Sequence, residues 1–127
     1  MQPSLFTKII NGELPSYKIY EDELTYAFLN INPVQPGHVL VVPRQQVDKL
    51  EDLEDEDYEA VMRTVKLLMQ HVRDELLTER VGLRVEGFEV PHAHVHIIPC
   101  DTEADLMSKP YEAGEDELVD MQTRLTY

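Results

Sequence analysis

Pro91-His92-Ala93-His94-Val95-His96-Ile97-Ile98-Pro99 places three of the five histidines of this 127-residue chain at every second position. Successive side chains of a β-strand point to opposite faces, so a strand here projects His92, His94 and His96 one way. Ala93, Val95 and Ile97 then project the other way, into a core. Imidazoles are costly to bury and idle on a plain surface, so an aligned row of them points to chemistry.

Working outward, residues 81–86 read as a strand that reaches the histidines across a tight turn near Gly87, and the β-branched run 38–43 reads as another. Strands over 17–20 and 25–31 flank the acidic turn Glu21-Asp22-Glu23, and Asn32-Pro-Val-Gln-Pro-Gly37 is a loop of chain breakers. Ser4 caps a short helix that Gly12 ends, with Phe6, Ile9 and Ile10 turned inward. From 55 to 77, Tyr58, Val61, Met62, Val65, Leu68, Met69, Val72 and Leu76 recur at helical spacing and form one apolar stripe. Residues 100–114 read as irregular and 115–125 as a final short helix. The pattern is α+β, with strands able to pair as hairpins under one long helix, in one domain over 1–127.

The formal net charge is −14. That balance argues against nonspecific nucleic-acid binding, which needs Lys and Arg to neutralise phosphates, but not against a small anion held by local donors. Much of the acid lies in the runs 51–59 and 112–117, which read as solvated helix starts. No apolar run approaches a membrane span, and the first residues lack the basic and apolar regions of a signal peptide. Cys100 is the only cysteine, so no intrachain disulfide forms, and a cytoplasmic location is expected.

Neutral imidazole is a nucleophile, a proton shuttle and a metal ligand. One ring attacking phosphorus while its neighbours hold phosphate oxygens is one reading of the row. Two or three rings binding a divalent metal, with water at an open position, is a second. A buried, hydrogen-bonded histidine ladder with no chemistry is the third.

The stretch from His92 to Ile98 resembles the signature of the histidine triad proteins. So do Phe6-Thr-Lys-Ile-Ile-Asn-Gly-Glu-Leu-Pro15, the Tyr20-Glu-Asp start of the hairpin, and the run from Ala27 through Pro33 and His38 to Pro43, in the same order. The likeness covers about residues 4–100 and leaves 101–127 as a divergent tail. A histidine at position 96, rather than glutamine, is similar to the Hint and Fhit kind of nucleotide hydrolase and unlike the hexose-phosphate uridylyltransferases. The compact N-terminal half looks most like the Hint side.

The resemblance implies an antiparallel sheet of about five strands packed with the long helix and short terminal helices. It makes His94 the nucleophile toward the α-phosphorus of a purine nucleotide or nucleotidyl conjugate, giving a covalent nucleotidyl-histidine that water releases. Nucleoside phosphoramidates or related nucleotidyl bonds, including dinucleoside polyphosphates, are the implied substrates. In the family a backbone carbonyl holds the proton on the other ring nitrogen. His96 and His38 match positions that contact or flank the phosphate, and His92 supports the nucleophile from beside it. Phe6, Ile9, Leu14, Phe28 and Ile31 match the apolar purine pocket, although all five also make sensible core residues. Asn30 stands where the family has an aspartate bonding the ribose hydroxyls, so the charge-assisted part of that contact is gone. No cofactor is implied, and a homodimer with one continuous sheet is expected.

Several positions depart from the family pattern. Bacterial members often hold a structural zinc with a Cys-x-x-Cys pair and a histidine beyond the strand that Pro43 ends; here those positions are Ser4, Thr7 and Gln46, so no structural zinc is expected. Glu89 occupies the place of a hydroxyl near the leaving group. It is read either as a proton donor whose acidity is weakened by burial and phosphate, or as a group that orients a histidine. Cys100 stands where arginine is common and reads as an ordinary thiol, and His71 as a surface or rim residue of the long helix. A nucleotide-binding protein with little turnover remains the alternative to an enzyme, and a metal-dependent hydrolase is a further one.

Overall fold

Alternation along three β-branched strands gives the sheet two apolar faces, and the helices sort themselves to either side. The computed structural model describes all 127 residues. Strands β1 (Lys18–Glu21), β2 (Thr25–Leu29), β3 (Val39–Pro43), β4 (Arg80–Arg84) and β5 (Val95–Cys100) form one antiparallel sheet in the order β1-β2-β3-β5-β4. On one face Ala27, Leu29, Val39, Val41, Val95 and Ile97 join Val61, Val65, Leu68 and Val72 of α2 (Asp55–Leu76) in the main core. On the other, Tyr26, Phe28, Leu40 and Val42 pack on Phe6 and Ile9 of α1 (Leu5–Ile10). The fold is therefore α+β with a five-stranded antiparallel sheet, as the sequence implied.

The α2 stripe is buried along most of its length, although Tyr58 in its first turn is exposed. Burial of Val61, Val65, Leu68 and Val72 contributes about 1.5–3 kcal/mol each before entropy is counted. The Lys18–Glu21 and Arg44–Glu21 surface pairs contribute about 0–1 kcal/mol each. No ion pair in the protein involves a residue of α2, so packing, not charge, holds this helix. It stops at Leu77, which takes a left-handed conformation at φ +57°. No helix is long and apolar enough to cross a membrane.

Three sequence readings are corrected. The last strand begins at Val95, not at 92, so His92, Ala93 and His94 precede the ladder. Pro43, at the end of β3, has no N–H to continue the pairing, and its carbonyl accepts instead from the His92 ring at 2.8 Å. The Ala93 N–H meanwhile donates to the Val47 carbonyl at 2.7 Å. The reading of 100–114 as irregular missed α3 (Glu103–Leu106), which a capping box between Thr102 and Asp105 starts. The capping signal is legible in Thr102-Glu-Ala-Asp105, but a helix of a single turn shows no apolar periodicity. The strand expected over 25–31 also ends two residues early, which frees Asn30 and Ile31 to line a cleft.

The divergent tail is part of the same core. α4 (Glu115–Leu125) sends Leu118 and Leu125 into the main cluster. The Tyr127 N–H donates to Ile19 O, and the His71 ring donates to Leu125 O at 3.0 Å while meeting the Tyr127 ring edge-on. His71 is thus half-buried and clasps the C-terminus to α2.

Candidate active site

The histidines occupy two layers on the α1 face of the sheet. His94 and His96 line a cleft of about 410 Å³, with ring centroids 5.0 Å apart. His92 and His38 lie behind them, fully enclosed and off the cleft wall. The sequence grouped all four as contacting or flanking one site; the structure divides them into two that can touch a ligand and two that can act only through a neighbour.

The backbone decides which ring nitrogen carries each proton. His94 Nδ1 lies 2.7 Å from the His92 carbonyl, which can only accept, so Nδ1 holds the proton and Nε2 keeps a free lone pair. The other pair is wired in the opposite sense. The Val34 N–H donates to His38 Nδ1 at 3.0 Å, which leaves the proton of the neutral ring on Nε2. That Nε2–H donates to His96 Nδ1 at 2.9 Å, so the His96 proton sits on Nε2. His96 Nε2 is buried and has no partner. A free lone pair and an orphaned N–H donor thus stand on adjacent rings.

Burial, with smaller pushes from the His96 ring and the Arg84 guanidinium, lowers His38 to about 3. Burial again, followed by the His94 ring and Arg84, lowers His96 to about 4. His92 is likewise lowered by burial, against the pull of its bond to the Pro43 carbonyl. All three rings are therefore neutral near pH 7, as the hydrogen-bond wiring requires.

His92 belongs to a polar cluster at the start of α1. Its Nε2–H donates to Pro43 O, so its Nδ1 accepts, and the donor is the Ser4 hydroxyl at 2.8 Å. The same hydroxyl caps α1 by accepting from the Thr7 N–H at 3.0 Å. Thr7 Oγ1 and the Ser4 N–H both donate to Gln46 Oε1 at 2.7 Å. Ser4, Thr7 and Gln46, which match the zinc positions of bacterial members, therefore gather around His92 Nδ1. Neutral hydroxyl and amide oxygens, with the one imidazole nitrogen already accepting, do not fit zinc, which takes thiolate, imidazole and carboxylate. No group of three or more His, Cys, Asp or Glu side chains is arranged to hold a metal.

The cleft brings together every residue matched to a base or ribose position. Phe6, Ile9, Leu14, Phe28, Asn30 and Ile31 all line it. Phe6, Ile9 and Phe28 also serve the second core, but Leu14 is 36% and Ile31 56% exposed, which a purely core role does not explain. The Phe6 ring stands edge-on to the His94 ring, centroids 5.0 Å apart, and holds it from the side. Asn30 Oδ1 already accepts from the Asn32 N–H at 2.8 Å, so only its second lone pair is free for a ribose hydroxyl.

Glu89 lines the cleft too, but on its exposed rim. The burial invoked for a proton donor is absent, and the imidazole nitrogens take their partners from the backbone, Ser4 and one another. Sequence reasoning missed Glu86, which also lines the cleft, and the Val34 N–H, which sets two tautomers. The Gly87 turn was a signal for the first; a backbone donor leaves no signal for the second. Cys100 is buried.

Two measurements check this wiring. The Cε1–H shifts of His38 and His96 should hold neutral-ring values from about pH 8 to about pH 5, and an NMR midpoint near 6.5 for either would contradict it. Both rings take protons near 6.5 only when unfolded, so their contribution is present above that pH and lost as pH falls toward about 4. Ser4→Ala should cost about 2 kcal/mol in urea unfolding, from a lost cap and an unsatisfied His92 Nδ1. A cost under about 0.5 kcal/mol would mean that the cluster does not hold His92.

A HIT domain model matches residues 11–103. An uncharacterised HIT-like protein of Methanocaldococcus jannaschii is 41% identical over 99 residues, covering 75% of this chain and 77% of that one. The adenosine 5'-monophosphoramidase of Saccharomyces cerevisiae is 36% identical over 96 residues, 75% of this chain and 61% of the yeast protein. The crystal structure of a HIT-like protein from Bartonella henselae superposes with a TM-score of 0.88 at 26% identity, over 97% of this chain and 93% of that one. A triad of histidines on a five-stranded sheet, matched at this identity and over this much of the chain, makes the protein a member of the histidine triad family.

Proposed function

We propose that the protein is a hydrolase of nucleoside phosphoramidates and related nucleotidyl bonds that works through a covalent nucleotidyl-histidine at His94. The observation that carries this reading is the 2.7 Å bond from His94 Nδ1–H to the His92 carbonyl, which points a free Nε2 lone pair into the cleft. The kinship with a yeast protein named adenosine 5'-monophosphoramidase supports the substrate class.

A purine enters between Phe6, Ile9, Leu14, Phe28 and Ile31, and the α-phosphorus comes to rest beside His94. His94 Nε2 forms a bond to phosphorus as the bond from phosphorus to the leaving nitrogen breaks. The electron pair leaves on that nitrogen, which takes a proton drawn from solvent at the rim, with Glu89 placed to relay it. The imidazolium proton stays on Nδ1, bonded to the His92 carbonyl, where it costs no rearrangement. His96 Nε2–H donates to a nonbridging oxygen as charge builds there. Water then attacks the same phosphorus, His94 departs, and the proton borrowed earlier returns to solvent. His38 and His92 never touch the substrate in this scheme; they fix the tautomers of the two rings that do. No step calls for a metal or cofactor.

A second reading, a nucleotide-binding protein with little turnover, is favoured by one observation. The Asn30 amide oxygen is already engaged by Asn32, which leaves it one lone pair, and no charge, for a ribose hydroxyl. Turnover of a fluorogenic adenosine phosphoramidate decides between them. The wild-type protein should turn it over with or without EDTA, and His94→Ala should lose at least about a thousandfold in kcat/KM. Nucleotide binding without turnover favours the second reading, and loss of wild-type activity in EDTA would remove the metal-free mechanism.

The reading also carries self-association along β4, whose outer backbone edge is unpaired and whose Leu83, with Val85 just beyond it, is exposed. Light scattering in dilute solution should give twice the 14.7 kDa chain mass; a monomer at about 100 μM would discard the pairing.

A further inference from the structure

The segment between β4 and β5 brings two charged side chains to the cleft wall, and both are carboxylates, Glu86 and Glu89. No lysine or arginine lines the cleft. Arg84, whose guanidinium acts on His38 and His96 through space, donates to the Leu106 carbonyl at 2.6 Å and stays off the cleft wall. Neither glutamate is in an ion pair; the pairs in the protein involve Glu21 and Asp48 instead. Gly87, between the two, sits at φ +81°, and a Cβ there would stand 3.9 Å from His94 Cε1. The acidic loop thus runs directly against the ring of the nucleophile.

This arrangement suits some leaving groups and not others. One phosphorus with one nonbridging charge meets the His96 ring at the cleft wall, where its buried Nε2–H has no other partner. Further phosphates beyond it would meet two carboxylates and no cation, whereas a positively charged arm would meet those carboxylates favourably. Neutral imidazoles add no compensating charge.

Resting on the hydrolase reading above, we infer that the Glu86–Glu89 loop selects leaving groups that carry a positive charge. The preferred substrates are nucleoside phosphoramidates of amines bearing a second, ammonium group, and dinucleoside polyphosphates are disfavoured. The bond broken is the same phosphorus–nitrogen bond, with the same proton balance. The distal ammonium takes no part in the chemistry; it lies along the rim beside the carboxylates.

Three adenosine phosphoramidates of equal arm length test this, made from diaminobutane, aminobutanol and aminobutyrate. Coulomb's law in water gives about a threefold effect for each unit charge pair at about 7 Å, so two glutamates separate neighbours in this series by about tenfold. The expected order in kcat/KM is ammonium, then hydroxyl, then carboxylate, and the spread should shrink as salt is added. Combining Glu86→Gln with Glu89→Gln should bring the ammonium-to-hydroxyl ratio to about one. Because Glu89 is also placed to relay a proton, all three rates can fall together in that variant; the ratio reads the charge alone. A wild-type ratio of one, or a ratio that survives both substitutions, overturns the inference. If the wild-type protein turns over none of the three, the hydrolase reading fails, and affinities of His94→Ala for the same compounds read the charge preference separately. Equal affinities would then overturn it, and a preference for the ammonium arm that both substitutions abolish would sustain it.

Discussion

The hydrogen bond between His94 Nδ1 and the His92 carbonyl is the constraint on which the rest of this site depends. An imidazole in water exchanges its proton freely between two nitrogens, and only one of the two tautomers leaves the lone pair on Nε2. A carbonyl two residues back removes that freedom, because it accepts and never donates. It is available because His92 and Ala93 stand outside the sheet ladder, where Pro43 ends the pairing. A regular strand through all three histidines would have spent the His92 carbonyl on the ladder or turned it away from the ring.

Opposite tautomers on neighbouring rings follow from two separate backbone anchors. The anchor for His96 is the Val34 N–H, reached through His38 across 3.0 Å and 2.9 Å bonds. The loop 32–37 is thereby more than a connection between β2 and β3. It wraps the His38 ring, with the Gly37 φ of +89° admitting a backbone turn too tight for a Cβ, which would lie 2.5 Å from Leu76 Cδ1. Desolvation does the rest: charging a ring in this layer costs more than leaving it neutral, so the donor and acceptor roles stay fixed across the physiological range.

The N-terminal cluster shows how hydrogen bonds can hold an element to a site. One hydroxyl, Ser4 Oγ, caps α1 and satisfies His92 Nδ1, and one amide, Gln46, gathers Ser4, Thr7 and the chain at Gln2. α1 is thereby locked onto the sheet at the end where Phe6 meets His94. Each bond contributes little on its own, about 0.5–1.5 kcal/mol net, but leaving the buried Ser4 hydroxyl or His92 Nδ1 unpaired costs more. That asymmetry keeps the cluster closed.

Local pattern and composition were enough for the α+β architecture, the α2 stripe and the row of histidines, because period-2 and period-3.6 alternation are properties of contiguous residues. The alternation also placed Ala93, Val95 and Ile97 in the core, where they lie. What it could not carry was decided by atoms far apart in the chain. Where β5 starts depends on the missing N–H of Pro43, some fifty residues away, and the tautomer of His96 depends on a backbone donor at Val34. The division of four histidines into two that line the cleft and two that stand behind it depends on Ser4 and Val34, which hold His92 and His38 off the cleft wall. The family likeness singled out Glu89 and nothing along the chain marked Glu86; only the turn at Gly87, beside the His94 ring, brings both to one cleft wall. Side-chain identity sets what chemistry is available; through-space hydrogen bonds and burial set which nitrogen, and which charge, a ligand meets.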